Sequence, residues 1–174
     1  VGNTAIEAGG GVSGGTVLNS IVYHNRAPAA DNATNATCTS SCTVPLAAGT
    51  GNTTNDPKIV SVGNPRLLAG SPCVDTGTNQ AWMALATDLA GRARIQNAIV
   101  DMGAYEYEAA AQTGTLAVAA SADPSVVLAG QPARFVADIQ GAPQQFIWTW
   151  GDGQGVTNAA VATHAYAAAG AYNV

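Results

Sequence analysis

The chain has 174 residues, enough for one or two domains with a sizeable core. Only 10% of its residues are charged, the net charge is −5, and its six basic residues form no cluster, which argues against nucleic-acid binding. No run of about 18 apolar residues is present, so no membrane span is predicted.

Residues 9–25 combine a glycine-rich turn with two short β-branched segments, 16–18 and 21–23. No part of the chain has helical periodicity, and short strands joined by Gly and Asn turns predict an all-β fold. The pattern fits one rung of a β-solenoid, in which Asn25 would cap stacked turns through its side-chain amide. An ordinary β-meander is the alternative.

Four further motifs follow in order, at residues 41–46, 51–57, 66–77 and 88–106. With residues 9–25 they resemble the final coils and closing region of bacterial right-handed parallel β-helix repeat proteins, of the choice-of-anchor type. The resemblance implies β-helix coils and a cap over residues 1–108. It implies no particular activity.

Three cysteines are present: Cys38, Cys42 and Cys73. Cys38 and Cys42 are spaced to close a small local disulfide, which would contribute about 2 kcal/mol at most; free thiols are the open alternative. A metal site would need a second cysteine pair or suitably spaced histidines, and His24 is not so placed. Cys73 is most simply a small buried hydrophobe.

The closing segment contains five charged residues: Asp88, Arg92, Arg94, Asp101 and Glu106. A carboxylate pair could serve glycoside hydrolysis, and an Asp and Arg set could serve polysaccharide lyase chemistry. We favour a structural interpretation, in which carboxylates clamp the arginines and pin a loop-rich cap. Asp88, Arg94, Asp101 and Glu106 are therefore predicted to be structural, and no catalytic residue is assigned.

Residues 109–115 are small and featureless, which is typical of a linker. Alternating apolar residues then predict two strands, with Leu116, Val118 and Ala120 on one face of the first and Phe135, Ala137 and Ile139 on one face of the second. We expect residues 1–108 and 116–174 to be separate units with few contacts across the linker.

An aromatic strand and a glycine turn follow. Phe146, Trp148 and Trp150 alternate, so all three side chains point to one face. The turn at Gly151, Asp152 and Gly153 supplies the positive φ that a tight hairpin needs.

Residues 170–174 include Gly170 and Tyr172, which repeat the local pattern of a tyrosine corner. With the aromatic strand and the turn, they resemble a PKD domain, an immunoglobulin-like β-sandwich of extracellular and surface proteins. Residues 116–174 fall short of the ~100 residues of a full immunoglobulin sandwich. We therefore expect the last strand to be missing and the chain to be an internal fragment of a longer secreted protein.

Trp150, Asp152 and Tyr166 are the candidate binding residues of this region. Its aromatic rings could form a platform for sugars, with Trp150 the best placed, although core packing is favoured. Asp152 could ligate calcium, although a turn-forming role is favoured and no other cofactor is predicted. The residues predicted to be structural are Trp148, Gly151, Gly153, His164, Gly170 and Tyr172.

The sequence thus predicts an all-β chain: terminal β-helix coils and cap (1–108), a linker (109–115) and an incomplete PKD sandwich (116–174). Its predicted role is a non-catalytic adhesive or structural scaffold and spacer in a secreted or surface-displayed bacterial protein. A polysaccharide or a surface protein is the expected partner, beside other domains of the same chain. The alternative is the accessory C-terminal part of an extracellular polysaccharide lyase or glycoside hydrolase whose catalytic coils lie upstream.

Overall fold

A computed structural model of the chain describes residues 1–109, 115–141, 143 and 145–174. Within these residues the fold is all-β, as predicted, with nine strands and one short 3-10 helix at Ala81–Leu85. Most of the predicted linker, residues 110–114, lies outside the described residues. No helix in the described part of the chain is long and apolar enough to cross a membrane.

Four strands in the first part of the chain form two parallel ladders: β1 (Val12–Leu18), β2 (Ile21–Val22), β3 (Ala33–Thr39) and β4 (Cys42–Thr43). β1 pairs with β3 and places Val12 opposite Ala33, while β2 pairs with β4 and places Ile21 opposite Cys42. The offset is 21 residues in both ladders. Each turn of the chain therefore lies beside the turn before it.

Buried asparagines tie these turns together. Asn25 is 4% exposed, and its Oδ1 accepts hydrogen bonds from the backbone and side-chain N–H groups of Asn3 at 2.9 and 3.1 Å. The backbone and side-chain N–H groups of Asn25 donate to Asn32 Oδ1, both at 3.0 Å. Gly11 leaves the room for this packing, because a Cβ there would lie 2.5 Å from Asn25 Nδ2. The predicted amide capping by Asn25 is confirmed.

All three cysteines are free thiols, which is the alternative left open beside a disulfide between Cys38 and Cys42. Cys38 lies opposite Val17 in the β1–β3 ladder, whereas Cys42 lies opposite Ile21 in the β2–β4 ladder. Because the two residues belong to different sheets, the Cys42 side chain packs in a core cluster that does not include Cys38. Cys73 is fully buried, as predicted.

The second part of the chain contains five antiparallel strands in two sheets. One sheet has the order β5 (Ala117–Asp123), β6 (Pro132–Gln140) and β9 (Val161–Ala165), and the other is a hairpin of β7 (Ile147–Thr149) and β8 (Gly155–Thr157). The inward residues of β6 include Phe135 and Ile139, in the predicted phase. Trp148 of β7 packs against this face, and the two sheets form a small β-sandwich.

The two parts of the chain share their hydrophobic core, so the expectation of few contacts between them is wrong. Val60 and Leu68 belong to the same buried cluster as Phe135 and Trp148. A second cluster joins Ala160 to Ile59 and Leu67. The reason is packing, since an apolar strip over residues 59–68 has to be covered and the second unit covers it.

Hydrogen bonds reinforce this junction. Asn64 Nδ2 donates to the carbonyl oxygens of Ile139 and Gly141 at 3.2 and 2.5 Å. Ser61 Oγ also donates to the Ile139 carbonyl, at 3.4 Å. These bonds fix the end of β6 against the first part of the chain, where linker composition alone gave no sign of contact.

Candidate functional site

A column of rings runs through the second unit. Trp148 and Trp150 project from the same side of the aromatic strand, and their rings stack with centroids 5.4 Å apart and planes 13° apart. His164 of β9 stacks on Trp150 at 5.0 Å and 7°. Tyr166 meets His164 edge-on at 4.6 Å and stacks on Tyr172 at 3.9 Å. The period of two in both strands places these rings together.

Trp150 is a core residue, which corrects the suggestion that it presents its ring to a sugar. It is 3% exposed, and Phe135 packs against it with ring centroids 4.8 Å apart. Trp148 is 5% exposed, and its Nε1 donates to the Ala159 carbonyl at 2.7 Å. Rings this deeply buried offer no face for stacking, so both tryptophans act as packing residues.

The turn after the aromatic strand brings Asp152 to His164. Gly151 and Gly153 have positive φ values of 74° and 89°, as the predicted turn requires. Asp152 Oδ1 accepts the Gln154 N–H at 3.0 Å, and its Oδ2 lies 2.8 Å from His164 Nε2. Desolvation acts to raise the pKa of Asp152, but the hydrogen bonds from Gln154 and His164 lower it below its ordinary value overall.

The carboxylate of Asp152 is therefore engaged within the turn, as the favoured interpretation expected. Among residues 1–109, 115–141, 143 and 145–174, no group of three His, Cys, Asp or Glu side chains is arranged to hold a metal ion. Calcium needs six to eight oxygen ligands, and Asp152 alone supplies two.

Tyr172 forms the predicted corner. Its hydroxyl donates to the Ala168 carbonyl at 3.0 Å, four residues upstream, which is the geometry of a tyrosine corner. Gly170 lies beneath the ring, since a Cβ there would lie 3.4 Å from a Tyr172 ring carbon. This corner holds the last described segment against the sandwich.

A cleft of about 530 Å³ opens beside the aromatic column. Its lining includes Phe135, Trp148 and Tyr166, together with residues 120–122, 124–129 and 168–172. None of the lining side chains is charged, and the buried hydroxyl of Tyr166 has no hydrogen-bond partner. The sequence patterns singled out Phe135, Trp148, Tyr166 and Tyr172 for other reasons, but they gave no signal for the loop residues 124–129, because isolated apolar loop residues follow no alternation.

The charged residues of the closing segment form a buried structural network. Arg94 pairs with Glu106, and its Nη2 donates to the Gly103 carbonyl at 2.6 Å. Both charged side chains are at least nine-tenths buried. Arg92 pairs instead with Glu108. The predicted arginine clamps are thus present, although the carboxylate that pairs with Arg92 is that of Glu108, which lies outside the predicted set.

Asp88 and Asp101 accept hydrogen bonds from the backbone. Asp88 accepts three N–H groups, those of Ala90, Arg92 and Glu106, at 2.8, 2.9 and 3.0 Å. Asp101 accepts two, those of Asp75 and Tyr107, at 2.6 and 2.5 Å. Desolvation raises the pKa of Asp101, and it raises the pKa of Glu106 to about 7. These carboxylates join loops to one another, which fits the structural role predicted for them.

A model of the PKD domain family matches residues 115–174. No curated protein and no solved structure matches the chain. The chain therefore carries a PKD domain at these residues, in agreement with the resemblance in its aromatic strand, turn and tyrosine corner. PKD domains are non-catalytic, are typically extracellular, and mediate interactions with proteins or carbohydrates.

Proposed function

We propose that this chain is a rigid, non-catalytic scaffold and spacer in a secreted or surface-displayed bacterial protein. The observation that carries the proposal is the shared core, in which Val60 and Leu68 pack in one cluster with Trp148. A PKD domain fixed in this way does not swing on its linker, and it transmits position and force to what precedes it. A spacer needs that rigidity, whereas a tethered domain would lack it.

In this proposal residues 1–108 are the terminal coils and closing region of a right-handed parallel β-helix. Two observations support it: the constant offset of 21 residues in the parallel ladders, and the asparagine side chains that join successive turns. Stacked coils present an extended, repetitive surface, which suits an adhesive scaffold. The PKD domain then continues the same rigid body.

We place adhesive recognition at the cleft beside the aromatic column rather than at Trp150. The cleft has room for side chains of a partner, and Val126 and Leu128, which line it, are 85% and 80% exposed. Because its lining is uncharged and mostly apolar, it suits an apolar protein segment better than a polysaccharide, whose many hydroxyls would need polar partners.

The experiment that tests the proposal measures whether the immobilised chain retains polysaccharides or surface proteins, and whether it cleaves bonds in the polysaccharides. The full chain is incubated with panels of polysaccharides and of surface proteins, beside a Leu128→Ser variant and a matched Leu85→Ser variant, whose leucine is 97% exposed outside the cleft. Retention of a protein that only Leu128→Ser loses supports recognition at the cleft.

If the chain retains none of the polysaccharides and proteins and cleaves none of the polysaccharides, the result supports a role as a spacer without recognition. Cleavage of a polysaccharide that Glu106→Gln abolishes would contradict the non-catalytic role and favour the lyase or hydrolase alternative.

A further inference from the structure

Two thiols that are far apart in the sequence meet in the core of the first unit. Cys42 and Cys73 are both fully buried and belong to one apolar cluster with Met102. Each thiol is among the groups that shift the pKa of the other, as expected of two neighbouring side chains in this cluster. Cys38 is also fully buried, but it lies outside this cluster, in the other ladder.

The backbone on both sides of this thiol pair is fixed. Cys42 is held in the β2–β4 ladder opposite Ile21, and its Sγ lies 3.2 Å from the Asn55 carbonyl oxygen. The Cys73 N–H donates to Ser71 Oγ at 3.1 Å, and its carbonyl accepts the Met102 N–H at 2.9 Å. The fold therefore keeps the two side chains in contact without help from a covalent bond.

We propose that Cys42 and Cys73 form a disulfide when the chain folds in the presence of a small-molecule disulfide such as oxidised glutathione, and that Cys38 remains a free thiol. One cysteine thiolate attacks the glutathione disulfide, which gives a mixed disulfide and one reduced glutathione. The other thiolate attacks the mixed disulfide and releases the second glutathione. Two protons leave the cysteines, and two electrons reduce the oxidant.

In the folded chain, the interaction between the two thiols raises the pKa of Cys42 and lowers that of Cys73. Because both side chains are buried in the folded chain, the exchange takes place while the core is forming or during its opening.

The bond would close a much longer loop than a bond between Cys38 and Cys42. A loop of about 30 residues restricts the unfolded chain more than one of about five, and we expect the oxidised chain to melt roughly 10 °C higher than the reduced chain. A bond within the shorter loop would give roughly half that shift.

The test maps the thiols of the full chain after folding with and without a glutathione redox buffer. Remaining thiols are alkylated in denaturant, and trypsin then cuts after Arg26, Lys58, Arg66 and Arg92. Cys38 and Cys42 share peptide 27–58, while Cys73 lies in peptide 67–92. After folding in the glutathione redox buffer, we expect these two peptides to be linked by a disulfide. Fragment ions should place the bond at Cys42 and an alkyl group on Cys38.

Cys38→Ser is the matched control and should keep both the linked peptides and the rise in Tm. Cys42→Ser should lose both. If the chain without substitutions is folded in the glutathione redox buffer and all three of its thiols are alkylated, or if the bond lies at Cys38, the proposal is overturned. This mapping does not require that any variant folds.

Discussion

Replacing Trp148 with alanine removes the buried ring at one end of the aromatic column. Trp148 is 5% exposed, stacks on Trp150 and donates its Nε1–H to Ala159. Truncating a buried Trp to Ala typically costs about 3–5 kcal/mol. The lost ring pair adds about 0.5–1.5 kcal/mol, and the unpaired carbonyl adds about 1–3 kcal/mol. These contributions overlap, so we expect the free energy of unfolding to fall by about 5 kcal/mol.

The assay is urea unfolding of the full chain followed by far-UV circular dichroism, which does not depend on the deleted fluorophore. Trp82→Ala is the matched control, because Trp82 is 64% exposed, and we expect its free energy of unfolding to change by less than about 0.5 kcal/mol. Trp148→Phe keeps a ring but loses the donor, and we expect a loss of about 2 kcal/mol. Equal stability of the Trp148→Ala and Trp82→Ala variants would refute the core assignment of Trp148.

Three further predictions concern the first unit. Arg94→Met leaves Glu106 buried without its partner, and we expect the free energy of unfolding above neutral pH to fall by about 3–5 kcal/mol. Arg26→Met breaks an exposed pair, and in the same urea unfolding assay it should lower the free energy of unfolding by less than about 1 kcal/mol. Burial raises the pKa of Glu106 from 4.5 to about 7, so the folded state binds the carboxyl proton more tightly than the unfolded state does. The free energy of unfolding should therefore fall as pH rises between those two values. Glu106→Gln should flatten this dependence of stability on pH, and an unchanged dependence would contradict the raised pKa of Glu106. Asn25→Ala removes the two hydrogen bonds from Asn3 and the side-chain bond to Asn32, and it should lower the free energy of unfolding by about 2–3 kcal/mol. Asn97→Ala, at an exposed position, should leave the thermal midpoint unchanged.

Much of the fold could be predicted because it depends on local periodicity. The alternation of Phe135, Ala137 and Ile139 fixed the inward face of β6, and the spacing of Trp148 and Trp150 fixed the face of the aromatic strand. The role of Tyr172 followed in the same way, because the corner bond spans only four residues. Patterns contained within one strand or turn are readable before the fold is known.

What could not be predicted depends on contacts distant in sequence. Sequence spacing brings only Cys38 close to Cys42, whereas the fold places Cys42 in one cluster with Cys73. Asp152 and His164 were considered separately, and only the pairing of strands joins them. The contacts of Val60 with the second unit were missed because the composition of a linker says nothing about which surfaces it allows to pack.

Native-state hydrogen exchange of the full chain shows whether both parts of the chain share one core. Exchange is followed over segments 57–68 and 133–139 at increasing denaturant, in the unmodified chain and in Asn64→Ala, which removes two bonds across the junction. We predict that both segments lose protection in one opening event and that Asn64→Ala lowers the free energy of that event in both. Protection of segment 57–68 that persists where segment 133–139 exchanges freely would contradict the shared core and leave two tethered units.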